Sequence, residues 1–183
     1  MIEIEPLSPK RWAHCRSVAA FSYELALKWG ADPMKAYLAG SFHDIARELP
    51  PERGLLIAEE YGYAISPEEK RYPILVHGFV SAVVARENYG ITDREILSAM
   101  EKHTLGDEEM TLLDKIIYLA DEIEPLRQYP GVDELRKLAF TDFNKALLQG
   151  IEQSLKYQRE RGLEPNPKTL KMYREVGLSV HTS

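Results

Sequence analysis

Apolar positions recur along this chain at helical spacing from one end to the other. His14, Val18, Phe21 and Leu25 fall on one face, the three- and four-residue step of an α-helix. Ser8 and Pro9 supply that helix with a cap and a first residue, and Gly30 stops it. Asp32-Pro33 opens a second helix, which Pro50-Pro51 bars from extending. Its packing stripe is Met34, Leu38, Phe42 and Ile45, while Ala36, Gly40 and His43 form a face of small side chains open to close approach. Residues 51–62 read as a short helix, Ser66-Pro67 opens another, and Tyr72-Pro73 breaks the chain. Residues 74–89 are apolar and helical, with His77-Gly78 in the first turn and Gly90 as the stop. Thr92-Asp93-Arg94-Glu95 reads as a capping box for a helix ending near His103-Thr104. A helix over 107–124 sets Asp114, Tyr118 and Asp121 on one face, with Leu112, Ile116, Leu119 and Ile123 packing elsewhere, and Pro125 ends it. Helices over 132–139 and 142–161 follow, and Asn166-Pro167 opens a last one to about Glu175, the final six residues fraying. No useful stretch alternates with period two. The pattern predicts an all-α fold of roughly eight to ten short helices.

Composition narrows the picture. The 183 residues suit one domain over 1–183, with a core at about 8–160 and the last helix at about 166–175. Apolar residues make up 44% and charged ones 28%, an ordinary globular balance. Acids outnumber Lys and Arg by 29 to 23, a net charge of −6. A nucleic-acid polymer would want a basic stripe, so none is expected as partner. The basic run Lys156 to Arg161 reads as a solvated helix face. Cys15 is the only cysteine, which excludes a disulfide framework and a thiolate zinc cluster. No apolar run approaches the ~20 residues that span a bilayer. The acidic start Met1-Ile2-Glu3-Ile4-Glu5 has no signal pattern. A cytoplasmic protein is the expectation.

The candidate chemistry lies in His14, His43-Asp44, His77, His103 and Asp121. Imidazole nitrogen with carboxylate oxygen suits iron, manganese or zinc. Helix neighbours point about 100° apart, so His43 and Asp44 can share an ion only from the edge of a face, with ligands from other helices completing the shell. An unpaired carboxylate buried in an apolar helix is strongly disfavoured, so Asp44 and Asp121 each need a cation or solvent. Taken singly, each histidine also fits a core or capping role.

Together these residues carry a resemblance. Their order resembles the HD-domain superfamily of metal-dependent phosphohydrolases. The strings His43-Asp44-Ile45-Ala46, His77-Gly78, His103-Thr104 and Tyr118-Leu119-Ala120-Asp121-Glu122-Ile123-Glu124-Pro125-Leu126-Arg127 resemble the YqeK family within it, described as symmetrical diadenosine tetraphosphate hydrolases. The resemblance implies a helical bundle with a metal site between helices, a small nucleotide substrate and cleavage to two ADP. It implies that His14, His43, Asp44 and Asp121 hold one ion. His77 and His103 would hold a second or face the phosphates. Iron comes first and manganese second on this thiolate-free set. Asp44 would bridge, or orient the attacking hydroxide. Arg11, Arg47, Thr104 and Arg127 would bind phosphate, guanidinium matching it bidentately. Arg47 stands where such proteins usually carry lysine. Two rival activities share this ligand set: another nucleotide phosphohydrolase such as a nucleotidase, and a di-iron oxygenase. A nucleotide sensor without turnover is a third reading, against which the intact ligand set argues.

Overall fold

The computed structural model describes residues 1–181. Its helices are α1 (Pro9–Trp29), α2 (Pro33–Phe42), α3 (Pro51–Glu60), α4 (Pro67–Arg71), α5 (His77–Tyr89), α6 (Arg94–Lys102), α7 (Leu112–Ile123), α8 (Val132–Ala139), α9 (Phe143–Glu160) and α10 (Pro167–His181), with a 3₁₀ turn over Pro73–Val76. No strand occurs among the described residues, in accord with the missing period-two runs. The punctuation seen in the sequence acts as expected at α1 and α2. The Ser8 hydroxyl accepts from Arg11 N at 3.2 Å, and Asp32 accepts from Met34 N at 2.8 Å. Gly30, at φ 81°, closes α1 in the left-handed region that favours glycine.

Several boundaries differ from the sequence expectation. α2 ends at Phe42 instead of running toward Pro50. Beyond it the chain tightens into i→i+3 bonds, with Ile45 N to Phe42 O at 3.0 Å and Arg47 N to Asp44 O at 2.9 Å. Asp93, not Thr92, caps α6, accepting from Glu95 N and Ile96 N. α7 starts at Leu112 under a Thr111–Asp114 capping box, five residues later than expected. Met34 is exposed and drops out of the α2 stripe. α10 continues to His181 because Met172 and Val176 are buried, so packing holds what looked like a fraying end. The last two of the six residues expected to fray, Thr182 and Ser183, lie outside the described residues.

Two apolar clusters form the core. The larger is built on α7, with Ile116, Ile117, Leu119 and Ile123 fully buried against Leu25 of α1, Met100 of α6 and Leu147 and Ile151 of α9. The smaller holds Ile45, Ile57, Val76, Val80, Val83 and Val84. Phe42 packs on both. His43 and Asp44 follow it directly, so the His-Asp pair sits at the seam between the clusters.

Two glycines set the helix spacing around that seam. A Cβ at Gly40 would lie 2.8 Å from Ala19 Cα, so α1 and α2 touch backbone to backbone. A Cβ at Gly78 would lie 2.8 Å from Glu101 O and 3.1 Å from Thr104 Oγ1, which fixes α5 against the end of α6. The close approach expected at the Ala36-Gly40-His43 face is the contact with α1.

Candidate metal centre

Five elements deliver six side chains to one point. α1 carries His14, the end of α2 carries His43 and Asp44, the start of α5 carries His77, the end of α6 carries His103, and α7 carries Asp121. His14 Nε2 lies 3.0 Å from Asp121 Oδ1 and 3.3 Å from His43 Nε2. Asp44 Oδ2 is 3.5 Å from His43 Nε2 and 3.7 Å from His14 Nε2. The other oxygen, Oδ1, faces the opposite way, 3.1 Å from His77 Nε2 and 3.5 Å from His103 Nε2. Those two imidazole nitrogens are 3.0 Å apart. Asp44 therefore stands between two histidine pairs and presents one oxygen to each.

The outer nitrogens fix the state of the rings. Nδ1 of His43 is 2.7 Å from Gly40 O, that of His77 is 2.6 Å from Ile74 O, and that of His103 is 2.6 Å from Met100 O. A carbonyl only accepts, so each Nδ1 carries a proton, and in the neutral ring the Nε2 lone pair then faces inward. Lone pairs then face lone pairs and a carboxylate oxygen. Asp44 Oδ1 is buried without a hydrogen-bond donor. Such a set of acceptors pointing at one another is what a cation resolves, and the donor set of imidazole and carboxylate fits a first-row metal ion.

Electrostatics follow the same division. Burial lowers His43 to about 4 and also lowers His77, so both are neutral near pH 7, as ligands must be. At His103 the hydrogen bond and charge of Asp44 outweigh burial, and its pKa is raised. His14 is also raised, to about 9, because Asp121 and Glu124 outweigh its burial. Asp44 and Asp121 are held far below the usual carboxylate range, against their burial, by the surrounding histidines.

The arginines close the ring. Arg11 Nη1 donates to Asp44 Oδ2 at 2.6 Å. Arg127 donates twice to Asp121, from Nη2 to Oδ1 at 2.7 Å and from Nε to the backbone carbonyl at 2.8 Å. Arg47 is half-buried and makes no ion pair among the described residues. Its guanidinium is lowered by burial and by its neighbours Arg11 and Arg127, while Asp44 and Asp121 oppose that. All three guanidinium groups thus lie within electrostatic reach of the two acids. Thr104 Oγ1 lies 3.2 Å from His77 Nε2. Asp114, on the predicted acidic face, is not in the cluster: it caps Thr111 N and pairs with Lys102 at 3.2 Å.

One functional acid escaped the sequence reading. Glu124 is buried, with Oε1 3.0 Å from His14 Nδ1 and Oε2 accepting from Leu126 N at 2.6 Å. It does for His14 what backbone carbonyls do for the other three rings. Its only sequence signal is a place in the string Asp121-Glu122-Ile123-Glu124, where a solvated helix end is equally expected.

The model of the HD domain matches residues 11–126 of the chain. The chain belongs to the HD-domain family. The matched segment holds all six converging side chains, and Arg127 lies one residue beyond it. A symmetrical bis(5'-nucleosyl)-tetraphosphatase of Bacillus subtilis is 40% identical over 92% of this HD-domain chain and 90% of its own length. A protein of the same name from Staphylococcus aureus is 36% identical over 74% of this chain and 70% of its own. Among solved structures, a predicted HD superfamily hydrolase of Clostridium acetobutylicum, described as involved in NAD metabolism, superposes with a TM-score of 0.90. It is 39% identical, with 93% of this chain and 90% of that one covered.

Proposed function

We propose that this HD-domain protein hydrolyses diadenosine tetraphosphate at its middle bridge and releases two ADP. The observation that carries the reading is Asp44, one carboxylate shared between two histidine pairs and bonded to Arg11. The relatives named as symmetrical tetraphosphatases support the substrate. A metal ion held there supplies Lewis acidity, acidifying water and neutralising phosphoryl oxygens. His14, His43, Asp121 and Asp44 Oδ2 would hold one ion; His77, His103 and Asp44 Oδ1 would hold a second. Iron is the first choice and manganese the second for this nitrogen-rich, thiolate-free set.

The chain's own residues do the rest. Asp44, anchored by Arg11, fixes the distance between the two halves of the cluster. Arg47 is the arginine with no carboxylate partner, and it binds the polyphosphate as an uncommitted fork. Arg11 spends one nitrogen on Asp44 and keeps donors for a phosphate. Arg127 is bonded to Asp121 twice, so it positions that acid and offers its remaining donors to the phosphates beside the scissile one. Thr104 supplies a hydroxyl between the His77 and His103 nitrogens. We read residues 1–183 as one HD domain acting on a small nucleotide in the cytoplasm. No helix among the described residues is long and apolar enough to cross a membrane.

Chromatography of the products from diadenosine tetraphosphate tests this. ADP alone is expected. ATP with AMP contradicts symmetrical cleavage, faster release of phosphate from a nucleoside monophosphate makes the protein a nucleotidase, and dioxygen consumption makes it an oxygenase.

A further inference from the structure

His77 and His103 stand at helix ends, where few intrahelical bonds hold the backbone. His14 and Asp121 stand inside α1 and α7, and Glu124 and Arg127 brace them directly. The second histidine pair therefore depends on support from outside its own helices. That support comes from α10, which lies beyond the residues 11–126 matched by the HD-domain model.

On the His103 side the contact is a buried hydroxyl. The turn that carries His103 and Thr104 is closed by Gly106 N, which donates to Lys102 O at 2.8 Å. Leu105 is buried in that turn, and a buried carbonyl needs a donor. Thr169, only 2% exposed, supplies it from Oγ1 at 2.8 Å. Three residues along α10, Met172 lies against Gly106, where any side chain would collide with it. Gly106 also needs its lack of a side chain for a φ of 67°.

On the His77 side the contact runs through Tyr63. Lys168 Nζ donates to the Tyr63 hydroxyl at 2.9 Å, and that hydroxyl donates to the buried Glu69 at 2.7 Å. The Tyr63 ring lies 4.4 Å from that of Phe79, two residues after His77. Glu69 belongs to α4, which leads into the 3₁₀ turn whose Ile74 O holds His77 Nδ1. One helix therefore grips the chain behind both rings.

We propose that α10 is a clasp that positions the His77–His103 half of the centre, with Thr169 as its positioning residue. The inference rests on the reading of these two histidines as metal ligands. Without the Thr169 bond the turn after α6 drifts, and the 3.0 Å separation of the two Nε2 atoms is lost. The His14 side keeps its own braces, so a lesion in α10 is felt on one side of Asp44 only.

The test uses Thr169→Val, which keeps the shape and removes the donor, and Thr169→Ser, which keeps the donor. Lys168→Met cuts the other end of the clasp at a half-buried position and serves if Thr169→Val does not fold. Two readouts are taken on the full chain. Long-range proton–nitrogen spectra of the metal-free protein report each imidazole, and manganese titration reports metal affinity. In Thr169→Val and Lys168→Met the His77 and His103 resonances should shift while those of His14 and His43 stay in place. The Kd of one manganese ion should rise about tenfold and that of the other stay as it was, the low end of the cost of loosening the support behind a histidine ligand. Thr169→Ser should restore both readouts. Unmoved His77 and His103 resonances, equal shifts at all four histidines, or a serine variant no better than valine overturns the proposal. A wild type that takes up one ion overturns the two-metal reading, and the ring spectra then decide the clasp by themselves.

Discussion

At His14 the imidazole is gripped from both ends: Nδ1 lies 3.0 Å from Glu124 Oε1 and Nε2 lies 3.0 Å from Asp121 Oδ1. In the metal-free protein that grip raises its pKa to about 9 even though burial pulls the other way. A group raised in the folded state stabilises fully below its unfolded value of 6.5, and the contribution is lost as pH rises through about 9. An incoming ion must displace that proton, so metal affinity should climb with pH and level off near 9. Metal titrations across pH check this, and a flat profile would count against His14 as a ligand. Glu124 also orients the ring and raises its basicity. Glu124→Ala should weaken metal binding by about 10- to 100-fold, the usual cost of losing a carboxylate behind a histidine ligand. Glu124→Gln, which keeps an acceptor, should recover part of that. Equal affinity in the wild type and in Glu124→Ala would reduce Glu124 to a helix-end acid. The histidines were legible in the sequence because four of them fall into an ordered pattern with two acids on apolar helices. Glu124 was not, because an acid at a helix end looks the same whether it faces solvent or a ring nitrogen.

Helix geometry decides how those residues meet. His77 and His103 can bring their Nε2 atoms to 3.0 Å because Gly78 lets α5 lie against the carbonyls at the end of α6. Gly78→Ala would force a methyl group to within 2.8 Å of Glu101 O, a backbone atom that cannot swing away. The expected cost is about 1–3 kcal/mol of stability, as for other overpacked sites. The two rings should also be pushed apart, with weaker binding of the ion on their side of Asp44. Denaturant unfolding together with metal content measures both effects, and wild-type values for each would show that the helices can shift freely. The helices themselves were largely readable from caps and prolines. The end of α2 was not, since no breaker stands between Gly40 and Pro50. The chain leaves the α-helix at Phe42, and the tighter turns that follow hold Asp44 at the seam. The length of α10 was hidden for a related reason: Met172 and Val176 extend the helix through tertiary packing that local sequence does not display.

Over the whole molecule, two apolar clusters meet along the line where Phe42, His43 and Asp44 sit, and helices from both sides send histidine and carboxylate side chains into it. The fold class and the residues that converge could be read from sequence because caps repeat along the chain and the histidines are few. The sharing of Asp44, the pairing of Arg11 and Arg127 with the acids and the uncommitted state of Arg47 could not, because each depends on distances between helices far apart in the chain. We propose that Asp44 joins two metal positions in one centre. Metal content of the purified protein and of Asp44→Ala tests it most directly. Two ions per chain are expected in the wild type and loss of both in the variant, because each position loses an oxygen that buried imidazoles alone do not replace. Wild-type metal content in an Asp44→Ala protein that remains helical would contradict it.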